Sequence, residues 1–365
     1  MIRSLLFTIC CLTSLYGCSK TSSPSPGNGG GNGNGNGNPP ATARRPASLG
    51  IVGDTADVTK PVNGGIVLMG GGTDVDAAFK WMIERSGGGD VVIIRASGTD
   101  AYNPYVYGLG TVNSVETLKI DSRELANNDT VAATIRNAEM LFIAGGDQSD
   151  YMRYWRGTKT GDAINYLLNE KKAPVGGTSA GCAILSGLYY SGENGGVTSD
   201  EALQNPFINT ITLYNNDFVK APRLSNVIAD QHFLTRGREG RSIVFLGRIL
   251  KDWNIAAKGI AADERTAVCI DKDGMAKVYG DYSATRPYSY AYFIMPDAGK
   301  QPEVFQAGKK VTWSNNKQAL AVYEIPANVN GGGTFNINTF NTIAASGGKL
   351  YWWWVEDGVV NKKEQ

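Results

Sequence analysis

The stretch that decides the fold is "GIVLMGGGTDVDAAFKWMIERSGGGDVVIIRAS", residues Gly65 to Ser97. It opens with a continuous apolar run ending in glycines, the pattern of a parallel strand buried on both faces. Val75, Ala78, Phe79, Met82 and Ile83 then recur at helical spacing, with Thr73 or Asp74 as the expected cap and Gly87 as the expected stop. "DVVIIRAS" restores a second buried strand, so the segment spells one βαβ unit.

The alternation continues outward from that unit. Residues 113–127 form a polar stretch expected to be helical, followed by a helix over 129–136, a strand in "AEMLFIAGG", a helix over 161–171 and the short strand "PVGG". Strands alternating with helices predict an α/β fold: a mostly parallel sheet with helices on both faces and ligands beyond the carboxyl ends of the strands. Glycine-rich strand ends at Gly70, Gly145 and Gly176 are expected to open at that edge. The Tyr-rich segment "SGTDAYNPYVYGLG" (97–110) reads as a long loop bordering it.

After about Ala262 the texture changes to "RTAVCIDKDGMAKVYG", two β runs joined by a Lys-Asp-Gly turn, and then to "RPYSYAYFIM". This predicts an antiparallel β-rich C-terminal extension of the same domain. "YWWWV" at Tyr351 to Val355 reads as a terminal strand with aromatics over the core.

Composition sets the outer bounds. The chain has 365 residues, 42% hydrophobic and 19% charged, enough to bury a substantial core. Its 35 Lys+Arg against 34 Asp+Glu leave no long-range field to attract nucleic acid or an anionic surface, so binding specificity must be local. Residues 1–17 have a short basic start and an apolar run, ending in "LYG" before Cys18. That ending is similar to a bacterial lipobox, which implies cleavage before a lipid-carrying Cys18 that becomes the acylated N-terminus. Residues 18–48 form a Ser/Pro/Gly/Asn tract with almost nothing to bury, a flexible tether to a single domain at 49–365. The expectation is an exported protein, lipid-anchored to a periplasmic or cell-surface membrane face. Three of the five cysteines, Cys10, Cys11 and Cys18, lie in the signal region, leaving Cys182 and Cys269 as buried thiols.

The chemistry centres on Gly177-Thr178-Ser179-Ala180-Gly181, a G-x-S-x-G placed where a strand should turn sharply into a helix. Such a turn presents the Ser179 hydroxyl, while the glycines let backbones approach and the next amide can donate to an oxyanion. The same small residues also suit close helix packing or a phosphate loop. A serine nucleophile needs a base, and His232 is the chain's only histidine. A carboxylate should orient the imidazole, and Asp230, Asp263 and Glu264 are candidates that spacing does not rank. A single histidine leaves no basis for a zinc site, and neither metal nor cofactor is expected.

"GGDQ", "GTSAG", "DQHF" followed by R-x-R-x-x-R, and "GIAADERTA", in that order between about Gly64 and Tyr279, resemble the cyanophycinase and aspartyl dipeptidase family of serine peptidases. The resemblance implies a sheet of the class I glutamine amidotransferase type. It makes Ser179 the nucleophile, His232 the base and Glu264 the triad carboxylate. It gives the oxyanion hole to the Gly146 and Ala180 amides, and a substrate-lining role to Gln148, Asp230, Gln231, Arg236, Arg238 and Arg241. The segment between Arg241 and Glu264 is longer than the family pattern, which keeps Asp263 as an alternative to Glu264. Cys182 stands where the family has a small residue, and "GGGTDVD" where an acidic "GGGE"-like start is common. The implied substrate is an aspartyl or isoaspartyl peptide or a cyanophycin-like polymer, with clustered arginines pairing with its carboxylates. Alternatives are an esterase or amidase with the same triad and a non-catalytic peptide-binding lipoprotein on the same fold. A homodimer is left open as an assembly.

Overall fold

The computed structural model describes residues 45–281, 289–297 and 299–365. The expected signal segment, the acylated Cys18, the tether as far as residue 44 and the start of "RPYSYAYFIM" lie outside the described residues. The order begins β1 (Ser48–Gly53), β2 (Gly65–Met69), α1 (Asp76–Arg85), β3 (Asp90–Arg95), α2 (Tyr102–Tyr107) and β4 (Ser114–Lys119). Next come α3 (Arg123–Ala126), α4 (Asp129–Asn137), β5 (Met140–Ile143), α5 (Gln148–Trp155) and α6 (Lys159–Tyr166), whose continuation over Leu167–Lys171 is a π-helical turn. β6 (Pro174–Thr178) leads into the single turn α7 (Ala180–Ala183).

Strands β4, β3, β5, β6 and β2 lie side by side and parallel. Their side chains alternate between two apolar layers, as strands buried on both faces require. Val67, Met69, Val91, Ile93 and Phe142 meet Ala78, Phe79 and Met82 of α1. Ile66, Leu68, Val92, Ile94 and Val175 face the layer holding Val131, Ile135, Ile164 and Leu167 of the opposite helices.

The second half of the chain builds a second sheet. It runs through β7 (Leu188–Tyr190), α8 (Ser199–Gln204), β8 (Leu213–Asn215), β9 (Val227–Asp230), α9 (Glu239–Trp253) and β10 (Lys258–Ala262). It continues with β11 (Thr266–Asp271), β12 (Met275–Gly280), β13 (Tyr290–Pro296), β14 (Leu320–Pro326), β15 (Gly332–Asn336), β16 (Lys349–Glu356) and β17 (Val359–Glu364). β11, β12 and β15 extend the first sheet antiparallel beyond β2. The others assemble in the order β17-β16-β14-β13-β10-β9-β7-β8, parallel only at β7, β9 and β10. α9 covers one face of this sheet through Ile243, Val244, Leu246 and Ile249. The other face shares its core with the first sheet.

The expected parallel sheet, helical layers and β-rich C-terminal part are thus present, but the strand before His232 belongs to the second sheet. Several local expectations also change. Residues 114–119 are a strand rather than a helix, because the buried polar side chains find partners: Glu116 meets Arg45 (2.8 Å) and Thr117 donates to Asn103 (2.6 Å). The loop expected at 97–110 contains helix α2. "YWWWV" is an interior strand, paired with both β14 and β17. Helix α1 begins at Asp76 without a side-chain cap, because Asp74 instead accepts the Tyr102 hydroxyl (2.6 Å).

The turn from β6 into α7 shows why the sequence there is so small. A Cβ on Gly181 would stand 2.1 Å from the carbonyl oxygen of Ile143, and one on Gly177 would stand 2.6 Å from the Gly181 carbonyl. Neither backbone can give way without moving a core strand. Gly181→Ala should therefore lower stability by about 1–3 kcal/mol, as overpacking against rigid neighbours does. Urea unfolding checks it, with a fall in midpoint at constant m expected.

Candidate active site

Ser179 sits between β6 and α7 with φ 52° and ψ −116°, a conformation L-residues avoid and one that turns the chain sharply enough to present the hydroxyl. His232 follows β9 with φ 47°, and Glu264 lies in the short link from β10 to β11. Three segments from two sheets therefore converge. The imidazole donates from Nδ1 to Oε1 of Glu264 (2.6 Å), which leaves Nε2 to accept the Ser179 hydroxyl (2.8 Å). The serine is polarised by a base whose tautomer the carboxylate sets.

The convergence is fixed by three consecutive backbone carbonyls at the end of β2. Met69 accepts the N–H of Ser179 (3.1 Å), Gly70 that of His232 (2.8 Å) and Gly71 that of Arg265 (2.9 Å). This approach works only with glycine. A Cβ on Gly70 would lie 2.0 Å from the carbonyl oxygen of Asp263, and one on Gly71 would lie 2.3 Å from Cε1 of His232. In the sequence the Gly70–Gly72 run marks only a strand end; its three-glycine composition is the signal for this role.

Asp263 is fully buried and makes no hydrogen bond to the imidazole. Its Oδ1 accepts the Thr235 hydroxyl (2.6 Å) and the Thr235 and Glu264 amides (3.1 and 2.9 Å). It therefore ties the loop carrying His232 to the loop carrying Glu264, and it is Glu264 that reaches the imidazole. Gly145 lies against the nucleophile, where a Cβ would stand 3.4 Å from that of Ser179. The N–H groups of Gly146 and Ala180 have no protein acceptor among the described residues. Gln148 opens α5, and its amide lies beside Gly192, where a Cβ would come within 3.2 Å of Nε2.

The arginines divide into two kinds. Arg241 is buried and pairs bidentately with Asp230, through Nε to Oδ2 (3.0 Å) and Nη2 to Oδ1 (2.5 Å). Its Nη1 turns to the Val197 carbonyl (3.4 Å), and Ser242 adds a hydrogen bond to Asp230 (2.6 Å). Burial works against the Asp230 anion, but Arg241 and these hydrogen bonds more than offset it and hold the carboxyl below its usual range. Arg238 donates to the carbonyl of buried Gln231 (2.8 Å) and approaches Asp230 (3.7 Å); burial pulls its pKa down to about 10. Arg236 is exposed and has no ion-pair partner among the described residues. Cys182 and Cys269 are free and buried, and burial pushes both thiols up and away from reactivity. No group of three or more His, Cys, Asp or Glu among the described residues is placed to hold a metal ion.

A model described as peptidase family S51 matches residues 66–278. The cyanophycinase of Trichormus variabilis is 28% identical over 171 residues, covering 47% of this chain and 52% of that protein. The cyanophycinase of Synechococcus elongatus is 26% identical over 257 residues, covering 66% and 74%. The chain thus spans about half the length of the first of these relatives. Among solved structures, a peptidase from an acI-B1 Actinobacterium is 19% identical with a TM-score of 0.44, over 60% of this chain and 89% of that one.

Burial disfavours the charged imidazole and is the largest influence on His232; the Glu264 hydrogen bond opposes it, and the Arg236 and Arg238 cations add to it. The net shift is downward from the ordinary 6.5, so the neutral base persists to lower pH. If His232 is the base, the acid limb of kcat/KM should fall below that value. Arg236→Gln, which removes one opposing cation, should move the limb to higher pH, as a pH–rate profile would record.

Proposed function

Since this chain belongs to peptidase family S51, we propose that it is a serine peptidase that hydrolyses aspartyl or β-aspartyl peptide bonds through an acyl-enzyme on Ser179. The observation that carries this reading is the continuous relay from Ser179 Oγ through His232 to Glu264, at 2.8 and 2.6 Å.

In this mechanism Ser179 Oγ attacks the scissile carbonyl while Nε2 of His232 takes its proton, and Glu264 steadies the imidazolium. The amides of Gly146 and Ala180 supply two donors for the oxyanion. Collapse of the tetrahedral intermediate breaks the C–N bond, with His232 returning the proton to the leaving amine. Water, deprotonated by the same imidazole, then releases the acyl group. Arg236, exposed and without an ion-pair partner among the described residues, is the family-matched arginine free to meet a substrate carboxylate, with Gln148 reading an amide. Arg238, Arg241, Asp230 and Gln231 hold the His232 loop from beneath.

The test uses the purified protein and its Ser179→Ala variant with β-aspartyl-arginine, cyanophycin and a simple ester. Hydrolysis of the aspartyl substrates by the wild type, falling by at least about a thousandfold in the variant, is expected for loss of a nucleophile that acts with its base as a unit. Equal activity or equal inertness of the two proteins would overturn the assignment.

We also propose that the protein is exported and anchored through lipid on Cys18. The support is the apolar run, the "LYGC" ending and the tether that follows. Cys18→Ser should shift the protein from the membrane fraction to the soluble one, and unchanged membrane association would refute the anchor.

A further inference from the structure

Tyr151 is buried in the first turn of α5, three residues after Gln148. Its hydroxyl donates to the carbonyl of Ala144 (2.7 Å), the residue that follows β5. The same oxygen faces Gly146, where a Cβ would stand 2.8 Å from it. One phenol therefore braces both ends of Ala144–Gly145–Gly146, the segment that passes Ser179 and ends on the Gly146 amide.

The brace is itself held on every side. The Tyr151 ring stacks on Trp155, with centroids 4.2 Å apart and 8° between the planes, and the Trp155 indole donates to the Ile120 carbonyl (2.8 Å). Asp147 joins the loop to the helix and caps α5 by accepting the Ser149 amide (2.9 Å). The Ala144 amide donates to the Ile94 carbonyl at the end of β3 (3.0 Å). In the turn after Ser179, a Cβ on Gly181 would stand 3.0 Å from the Ala144 oxygen. Burial raises the Tyr151 pKa above its ordinary value, so the phenol keeps its proton and stays a donor.

Gly145 and Gly146 have no side chains to fix their backbone, and glycine is the residue with most conformational freedom to lose. An amide that stabilises an oxyanion must already be aimed when charge develops, because its advantage over water is that nothing reorganises during the reaction. We propose that Tyr151 is a positioning residue for the oxyanion hole: by holding the Ala144 carbonyl and backing Gly146, its hydroxyl aims the Gly146 amide at the oxyanion formed when Ser179 attacks. This deepens the peptidase reading and rests on it. The ring and its stack belong to the helix, whereas the hydroxyl alone reaches the loop. Losing the hydroxyl should therefore weaken the hold on the transition state and spare the hold on the substrate.

Tyr151→Phe removes the hydroxyl and keeps the ring, and urea unfolding checks that the variant is folded. On β-aspartyl-arginine its kcat should fall by roughly ten- to a hundredfold, short of outright loss of an oxyanion donor, while KM stays within about twofold. Calorimetry of the same dipeptide on Ser179→Ala, with and without Tyr151→Phe, should give equal affinities, which general damage to the site would not. A fluorophosphonate, whose phosphorus Ser179 attacks with loss of fluoride, needs the nucleophile and the oxyanion hole but no aspartyl pocket. Its labelling rate should fall by a factor similar to that of kcat. Gly146→Ala reaches the contact from the other side. In the wild type the methyl presses on the phenolic oxygen, and kcat should fall by roughly tenfold or more. In Tyr151→Phe the nearest ring atom, Cζ, is 3.5 Å from that methyl position, and the added cost should shrink to about twofold.

Undiminished kcat in Tyr151→Phe, affinity and turnover falling together, or a Gly146→Ala cost that is the same in both backgrounds would overturn the role of Tyr151. Any of these beside wild-type turnover leaves the peptidase reading standing. Wild-type labelling without turnover of an aspartyl substrate sinks that reading, and the labelling ratio still decides on Tyr151. A wild type that neither turns over nor labels sinks both.

Discussion

Three hydrogen bonds from one short piece of backbone govern the site. The carbonyls of Met69, Gly70 and Gly71 receive in turn the amides that place Ser179, His232 and the Glu264–Arg265 link. These segments come from β6 of one sheet, β9 of the other and the crossing from β10 to β11, so no single element could position all three. The strand end at β2 acts as a common ruler. Its precision depends on the missing side chains, because a methyl group at 70 or 71 would occupy the space of the Asp263 backbone or the imidazole ring.

The same bonds explain how strain is tolerated. Ser179, His232 and Arg265 all adopt positive φ, at 52°, 47° and 59°, and each such residue costs on the order of 1–3 kcal/mol. In each case the amide of the strained residue is one that the β2 carbonyls accept. The strain and its compensation are therefore local to one another. The surroundings impose the conformation: Ala180 and Cys182 are buried after Ser179, and Phe233 is buried against Tyr292 (ring centroids 4.8 Å) after His232.

Electrostatics follow from this placement. A buried imidazole beside two arginines would lose its value as a base if its neighbours protonated it, yet those cations and the desolvation both favour the neutral ring. Glu264 works in the opposite direction, so the ring is neutral at rest and its cation is stabilised when a proton arrives. The buried Asp230–Arg241 pair under the loop is too enclosed to serve as a movable charge. It stiffens the segment that carries His232, and removal of either partner would leave an uncompensated buried charge.

What the sequence reveals about this site depends on whether a side chain carries the information. Ser179 lies in a G-x-S-x-G turn and His232 is the lone histidine, so both can be singled out by residue type. Glu264 and Asp263 are adjacent carboxylates that residue type cannot separate; only the fold turns one toward the imidazole and the other toward Thr235. The carbonyl ruler is still less visible, because a main-chain acceptor is present at every position and only the spacing of glycines betrays its use. Strand β4 was hidden for a related reason: Glu116 and Thr117 look solvated until Arg45 and Asn103, which lie far from them in sequence, arrive to bond them. The parallel core was legible because its apolar runs are local. The two-sheet assembly was not, because the apolar run before His232 reads as a strand and nothing local says which sheet it joins. That choice brings His232 to Ser179 from the opposite side, and it is enforced by a layer in which Val227, Ala229 and Ile260 pack with Leu68 and Val268 of the first sheet.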